Sequence, residues 1–223
     1  MWNEVTDLGI DHVLDITIDA MDFQFMIGDV KDFLEFSEQN IAWQHRRELH
    51  SIALRHDLKD GPDYRDCLEQ GVDHRFQVSL PLRVRYSALL SFITSVEWSV
   101  AYLNRVAKDT VPRRKDGLNH TVKVLRELAT RVGLSITEEV ADYEALVKLR
   151  NCIVHAGGIV SSYEYKEDLP AAAARVPGFT LEDLHFFGVQ VCIARNALDG
   201  PIERMAKLVV ELHKQMHVQG LQR

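Results

Sequence analysis

The chain is poor in the residues that punctuate, cross-link or anchor a protein. Of 223 residues, three are cysteine, six proline and twelve glycine. Cys67, Cys152 and Cys192 are odd in number and fit no ligand spacing, which excludes a disulfide framework and a thiolate metal site. They read as reduced thiols of a cytoplasmic protein. No apolar run approaches the ~20 residues that span a bilayer. Met1-Trp2-Asn3-Glu4 lacks the basic, then apolar, start of a signal peptide. Cations are in the minority, with 26 Lys+Arg against 33 Asp+Glu and a net charge of −7. That balance argues against indiscriminate nucleic-acid binding and leaves room for a small basic cleft. A glycine-rich phosphate loop, a nucleophile elbow and a zinc motif are all missing, so no cofactor and no metal are expected.

What is present is helical periodicity. With 46% hydrophobic and 26% charged residues, the chain can build one sizeable core, or a core with a smaller appendage. Leu14, Ile18, Met21 and Phe25 recur at helical spacing, and Asp11, Asp15, Asp19 and Asp22 occupy another face. Those aspartates could hold a hard cation, but a solvated helix face explains them better. Gly61-Pro62-Asp63 is a break, and it sets an N-terminal helical extension, 1–62, apart from a helical domain, 63–223.

Pro81 is placed in the first turn of a long helix whose stripe includes Leu89, Ile93, Val96, Val100 and Leu103. Arg113-Arg114-Lys115 lies in a charged loop. A second helix ends at Gly133, and a third opens at Ser135-Ile136-Thr137-Glu138 and closes at Gly157-Gly158. Residues 159–179 read as irregular. Thr180-Leu181-Glu182-Asp183 resembles a capping box opening a last helical section, which Pro201 kinks or splits. His213 and His217 share a metal pair's spacing without a third ligand and read as a frayed end. The expected fold class is all-α, an antiparallel helical bundle.

The informative segment is Leu-Val-Lys-Leu-Arg-Asn-Cys-Ile-Val-His-Ala-Gly-Gly, residues 146–158. On a helix, Asn151 and His155 project from nearly one face, Leu146, Leu149 and Ile153 point to the core, and Arg150 flanks. A guanidinium can grip a phosphate with two parallel hydrogen bonds, and an imidazole can move a proton near neutral pH. Cleavage of a ribonucleotide backbone needs both capabilities. On geometry alone, the same residues also fit a surface ion pair at Arg150 and a helix C-cap at His155. Glu97 lies on the apolar stripe between Ile93 and Val100, where a carboxylate needs a partner. It is expected to be mostly buried and paired, orienting Arg150 or His155; the alternatives are a structural ion pair elsewhere in the bundle or an edge-exposed residue.

Residues 150–155 resemble the Arg-Asn-x-x-x-His signature of the HEPN superfamily (higher eukaryotes and prokaryotes nucleotide-binding domain). The apolar helix with Glu97, the helix ending in glycines and a long closing helix follow the order of a HEPN four-helix core over roughly residues 80–217. The resemblance implies a metal-independent endoribonuclease of toxin or defence type, working as a homodimer on RNA. It would leave 2′,3′-cyclic phosphate ends. The implied site is Arg150 on the scissile phosphate, His155 as acid/base, Asn151 as orienting amide, and Glu97 behind them. An antitoxin or other protein regulator is a further implied partner. Gly157 stands where many HEPN toxins paired with a nucleotidyltransferase carry tyrosine, so control through that residue is not implied. The alternatives are a catalytically inactive HEPN dimerisation or nucleotide-binding module, and a helical adaptor.

Overall fold

The computed structural model describes residues 7–55, 62–107, 119–184 and 188–220, with only the backbone described for 7–20 and for Pro62. Seven α-helices and one hairpin make up the described fold: α1 (Asp7–Ala53), α2 (Pro62–Asp73), α3 (Leu80–Val106), α4 (His120–Val132), α5 (Thr137–Ala156), α6 (Leu169–Arg175), β1 (Phe179–Asp183), β2 (Val189–Ile193) and α7 (Asp199–Val218). The fold class is all-α with a minor two-stranded sheet.

Local chemistry explains several helix ends. Asn119 caps α4 by accepting a hydrogen bond from the Thr121 amide at 3.0 Å. Gly133 closes the same helix in the left-handed region, at φ 73°. Glu138 and Glu139 sit in the first turn of α5, where the helix dipole favours anions.

Pro81 lies in the first turn of α3, as the sequence reading expects, but the chain enters that turn already helical. A π-helical turn, His74–Ser79, joins α2 directly to α3, and Pro81 follows it by two residues. An interior proline lacks an amide donor and crowds the preceding turn, and the widened turn just before it accommodates both.

The helices run antiparallel, as their contacts show. Phe23 of α1 meets Tyr102 of α3, whereas Glu38 of α1 meets Arg85, nearer the start of α3. Lys31 of α1 reaches Glu203 of α7, and Phe23 reaches His213. Tyr86 of α3 lies against Gly158 beyond α5, while Glu97 meets Arg150 within it. One hydrophobic core takes Phe23, Ile27, Val30 and Leu34 from α1, Phe92, Ile93 and Val96 from α3, and Leu146 and Leu149 from α5. Complete burial of such side chains contributes roughly 1.5–3 kcal/mol each.

Four expectations are corrected here. Residues 180–183 belong to β1, which pairs antiparallel with β2, Leu181 opposite Val191. Pro201 lies buried in the first turn of α7, where its missing amide leaves no helical bond unmade, so it neither kinks nor splits the helix. His213 is fully buried and packs edge-on against the Phe23 ring at 5.5 Å, in a helix that continues to Val218 rather than fraying. Within 159–179, α6 and two 3-10 turns replace an irregular stretch. Asp22 is exposed. Asp11, Asp15, Asp19, Gly61 and Arg113-Arg114-Lys115 fall outside the residues or side chains described.

One ion-pair network ties α1 to the rest of the bundle. Glu38, nearly buried, receives Arg85 Nε at 2.7 Å and Arg195 Nε at 3.1 Å. Arg85 also donates to the Ile193 carbonyl at 2.9 Å. Glu38→Ala strands a largely buried guanidinium, so chemical denaturation should show a loss of about 2 kcal/mol. A change within ~0.5 kcal/mol would show the network to be decorative.

Candidate functional site

Helix α5 carries the motif in its last turns, at positions that flank its buried stripe. Leu146, Leu149, Cys152 and Ile153 are buried, and Tyr143 is completely so. Arg150 and Asn151 are half-buried and His155 is exposed. At ~100° per residue, Arg150 and His155 project about 140° apart around the helix, while Asn151 and His155 lie within about 40°. One chain therefore presents the guanidinium and the imidazole from different sides of α5.

Arg150 turns toward α3, where its Nη2 donates to Glu97 Oε1 at 2.7 Å. Pairing with Arg150 is one of the roles expected for Glu97. Its burial falls short of that expectation, because the Glu97 side chain remains 39% exposed. The buried Arg150 Nε has no hydrogen-bond partner among the described residues. Tyr143 lies two helical turns earlier on the same side, and its buried hydroxyl has the Thr121 side chain beside it without a hydrogen bond of good geometry. Burial first, and the Glu97 carboxylate second, push its phenol far above the usual range, and Arg150 and then the Thr121 side chain oppose them. Tyr143 stays a neutral donor at any ordinary pH. Its position was legible as a core residue, but its place beside the ion pair needed the packing of α3 on α5.

Asn151 faces a different hollow, a cleft of about 570 Å³ between α5, α6 and the cap of α4, shared with Asn119, Glu144, Lys148, Ala172 and Arg175. The surrounding cations are engaged. Lys148 meets Asp168 at 3.0 Å, Arg126 meets Glu144 at 3.1 Å, and Arg175 meets Glu138 and Asp142. Cys152, within the motif, offers no nucleophile. Burial pushes its thiol up to about 11, so it is protonated at neutral pH.

The helix ends at Gly157, φ 62°, and Gly158, φ 85°. The Gly158 carbonyl accepts from the Val191 amide at 2.9 Å, and Ile159 bridges Gln190, so β2 is docked on the chain leaving α5. Tyr86 crosses this junction and donates its hydroxyl to the Val191 carbonyl. Beside it opens an apolar-walled cleft of about 390 Å³, bordered by His74, Arg83, Tyr86, Gly157 and Gln190. Sequence reading gave no sign of that cleft, because the hairpin forming one wall was not foreseen.

Among the described residues, no cluster of His, Cys, Asp or Glu could hold a metal ion, and no helix is long and apolar enough to cross a membrane. No family model matches the chain, and neither the curated proteins nor the solved structures yield a match.

Proposed function

We propose that the chain is a metal-independent endoribonuclease of HEPN type that works as a homodimer. The observation that carries this reading is the run Arg150, Asn151 and His155, none of them fully buried, in the last turns of α5, with Arg150 fixed by Glu97 at 2.7 Å. The ~140° between Arg150 and His155 supports a composite site. Two copies of α5 facing each other would let an arginine and a histidine converge on one phosphate.

The chemistry follows from the groups. One His155 takes the proton from a ribose 2′-hydroxyl as its oxygen bonds to phosphorus. The bond to the 5′-oxygen breaks, and that oxygen takes a proton from the other His155. Arg150 neutralises the charge that builds on the phosphoryl oxygens, and Asn151 holds the imidazole or the phosphate by a hydrogen bond. The products are a 2′,3′-cyclic phosphate and a 5′-hydroxyl.

A second reading, a HEPN module without catalysis, is favoured by one observation. Both cations of the motif's last turns, Lys148 and Arg150, already hold carboxylates. A phosphate must displace or share Glu97 to reach Arg150. The deciding experiment is incubation of purified chain with RNA in excess chelator, followed by end-group analysis. Cyclic phosphate ends support the enzyme. Absence of cleavage leaves the module.

Glu97 separates the readings further, as a positioning residue. Glu97→Gln keeps an acceptor for Arg150 and should hold kcat within about threefold. Glu97→Ala lets the guanidinium swing and should lower kcat ~10–100-fold with little change in KM. Its stability loss should be about 1 kcal/mol or less, because the pair is partly solvated. Equal kcat for the two variants would remove Glu97 from the mechanism.

A further inference from the structure

Helix α1 is apolar on two opposite faces, and only one is used. Phe23, Ile27, Val30 and Leu34 enter the core. On the far side, Met21, Phe25, Phe36 and Trp43 fall within about 60° of one another at ~100° per residue. Phe33 flanks them, and Leu54 extends the row. These six are strongly exposed, Phe36 to 73%, Phe25 to 57% and Trp43 to 50%. A row this long is not the scatter of single apolar residues that ordinary surfaces carry.

We propose that this face is a seam on which a second copy of the chain packs, α1 against α1, antiparallel about a twofold axis near residues 34 and 35. The register comes from the sequence. With the axis there, Phe25 lies opposite Trp43 of the second copy, and Phe33 lies opposite Phe36. The same register sets Asp22 opposite Arg47, both on one rim of the row and both exposed. An antiparallel twofold brings identical rims together, so the two charges meet twice per pair of chains. Arg47 already leans over the row, its guanidinium 5.6 Å from the Trp43 ring centroid. Asp22 and Arg47 stand ~37 Å apart along one helix and cannot pair within it.

The area is adequate. A half-exposed aromatic offers on the order of 100 Å². Six residues from each copy approach the ~1,200 Å² at the low end of specific interfaces. Asp32 falls within the row close to the axis. A charge at such a position weakens association while helping to fix register, as polar residues do in coiled-coil seams.

The seam is separate from the motif. Helix α1 packs on α3 and α7, whereas α5 packs on α3 and α6. The proposal therefore does not rest on the ribonuclease reading: the α5-to-α5 pairing proposed there uses a different twofold axis, so the two pairings together make a tetramer that the seam variants reduce to a dimer, and the test is independent of RNA cleavage. The test is sedimentation of the full chain at concentrations on the order of 10 µM. Phe36→Glu with Trp43→Glu should halve the parent's mass, with an unchanged helical spectrum showing that the fold survives. Asp22→Arg and Arg47→Asp should each weaken association on the order of 10-fold, and their combination should restore it. Asp32→Leu should tighten it. The proposal is overturned if the Phe36/Trp43 double variant keeps the parent's mass, or if the paired charge swap does not recover what each single swap loses. A parent that does not associate, but sediments with phosphatidylserine vesicles through this face, would make the row a lipid contact and equally overturn it.

Discussion

His155→Ala should reduce RNA cleavage by ~10²–10⁴, the range over which a positioned proton carrier contributes. The imidazole is exposed at the end of α5 and packs on nothing in the core, so its loss should leave thermal unfolding within ~0.5 kcal/mol of the parent. Arg150→Ala should lower cleavage ~10²–10³ by removing charge stabilisation at the phosphate. It should also loosen the α3–α5 contact slightly, because Glu97 then loses its partner. The two variants thus differ in a way that a general loss of folding would not produce. Adding free imidazole should recover part of the His155→Ala activity and none of the Arg150→Ala activity. If His155→Ala cleaves as the parent does, the cleavage does not arise from this site and the ribonuclease reading fails. The non-catalytic module then becomes the better account.

The legible parts of this fold are those fixed by neighbours in sequence. The stripe of α3 and the ends of α4 and α5 follow from 3.6-residue periodicity and from glycines that adopt left-handed backbone. Inward placement of Leu146, Leu149 and Ile153 follows in the same way, and it fixes which side of α5 the motif must face.

The hairpin was not legible. Thr180-Leu181-Glu182-Asp183 has the residues of a capping box, and five-residue strands give periodicity little to work with. What makes β2 a strand is distant: the Gly158 carbonyl, the Ile159 bridge and the Tyr86 hydroxyl all bind it across the fold. Pro81 was legible as a first-turn residue of α3, but the π-turn His74–Ser79 that runs straight into that turn was not. At the site, spacing alone put Arg150 and His155 on different sides of a helix. The packing of α3 on α5 decides that Glu97 holds Arg150, one of the roles open to it in the sequence, and sets both beside Tyr143; the packing of α6 on α5 gives Asn151 a separate cleft.

The two glycines that end α5 should respond very differently to alanine. Both have positive φ, 62° at Gly157 and 85° at Gly158, where a Cβ costs roughly 1–2 kcal/mol. At Gly157 the added methyl meets nothing within 4 Å, so Gly157→Ala should lose about 1 kcal/mol and little else. At Gly158 the methyl would overlap the hydroxyl and ring carbons of Tyr86. That ring cannot easily retreat, because its hydroxyl is tied to the Val191 carbonyl and its face borders the core. Overpacking of this kind adds about 1–3 kcal/mol. Gly158→Ala should therefore cost about 3 kcal/mol in all, lowering Tm by roughly 6–12 °C for a chain of this size. The backbone shift it forces lies three residues from His155, at the anchor of β2. Hydrogen exchange should thus show the Val191 amide losing protection before any amide in the middle of α3. Gly158→Ala as mild as Gly157→Ala, with Val191 still protected, would mean that the close approach of Tyr86 does not hold the hairpin to the end of α5.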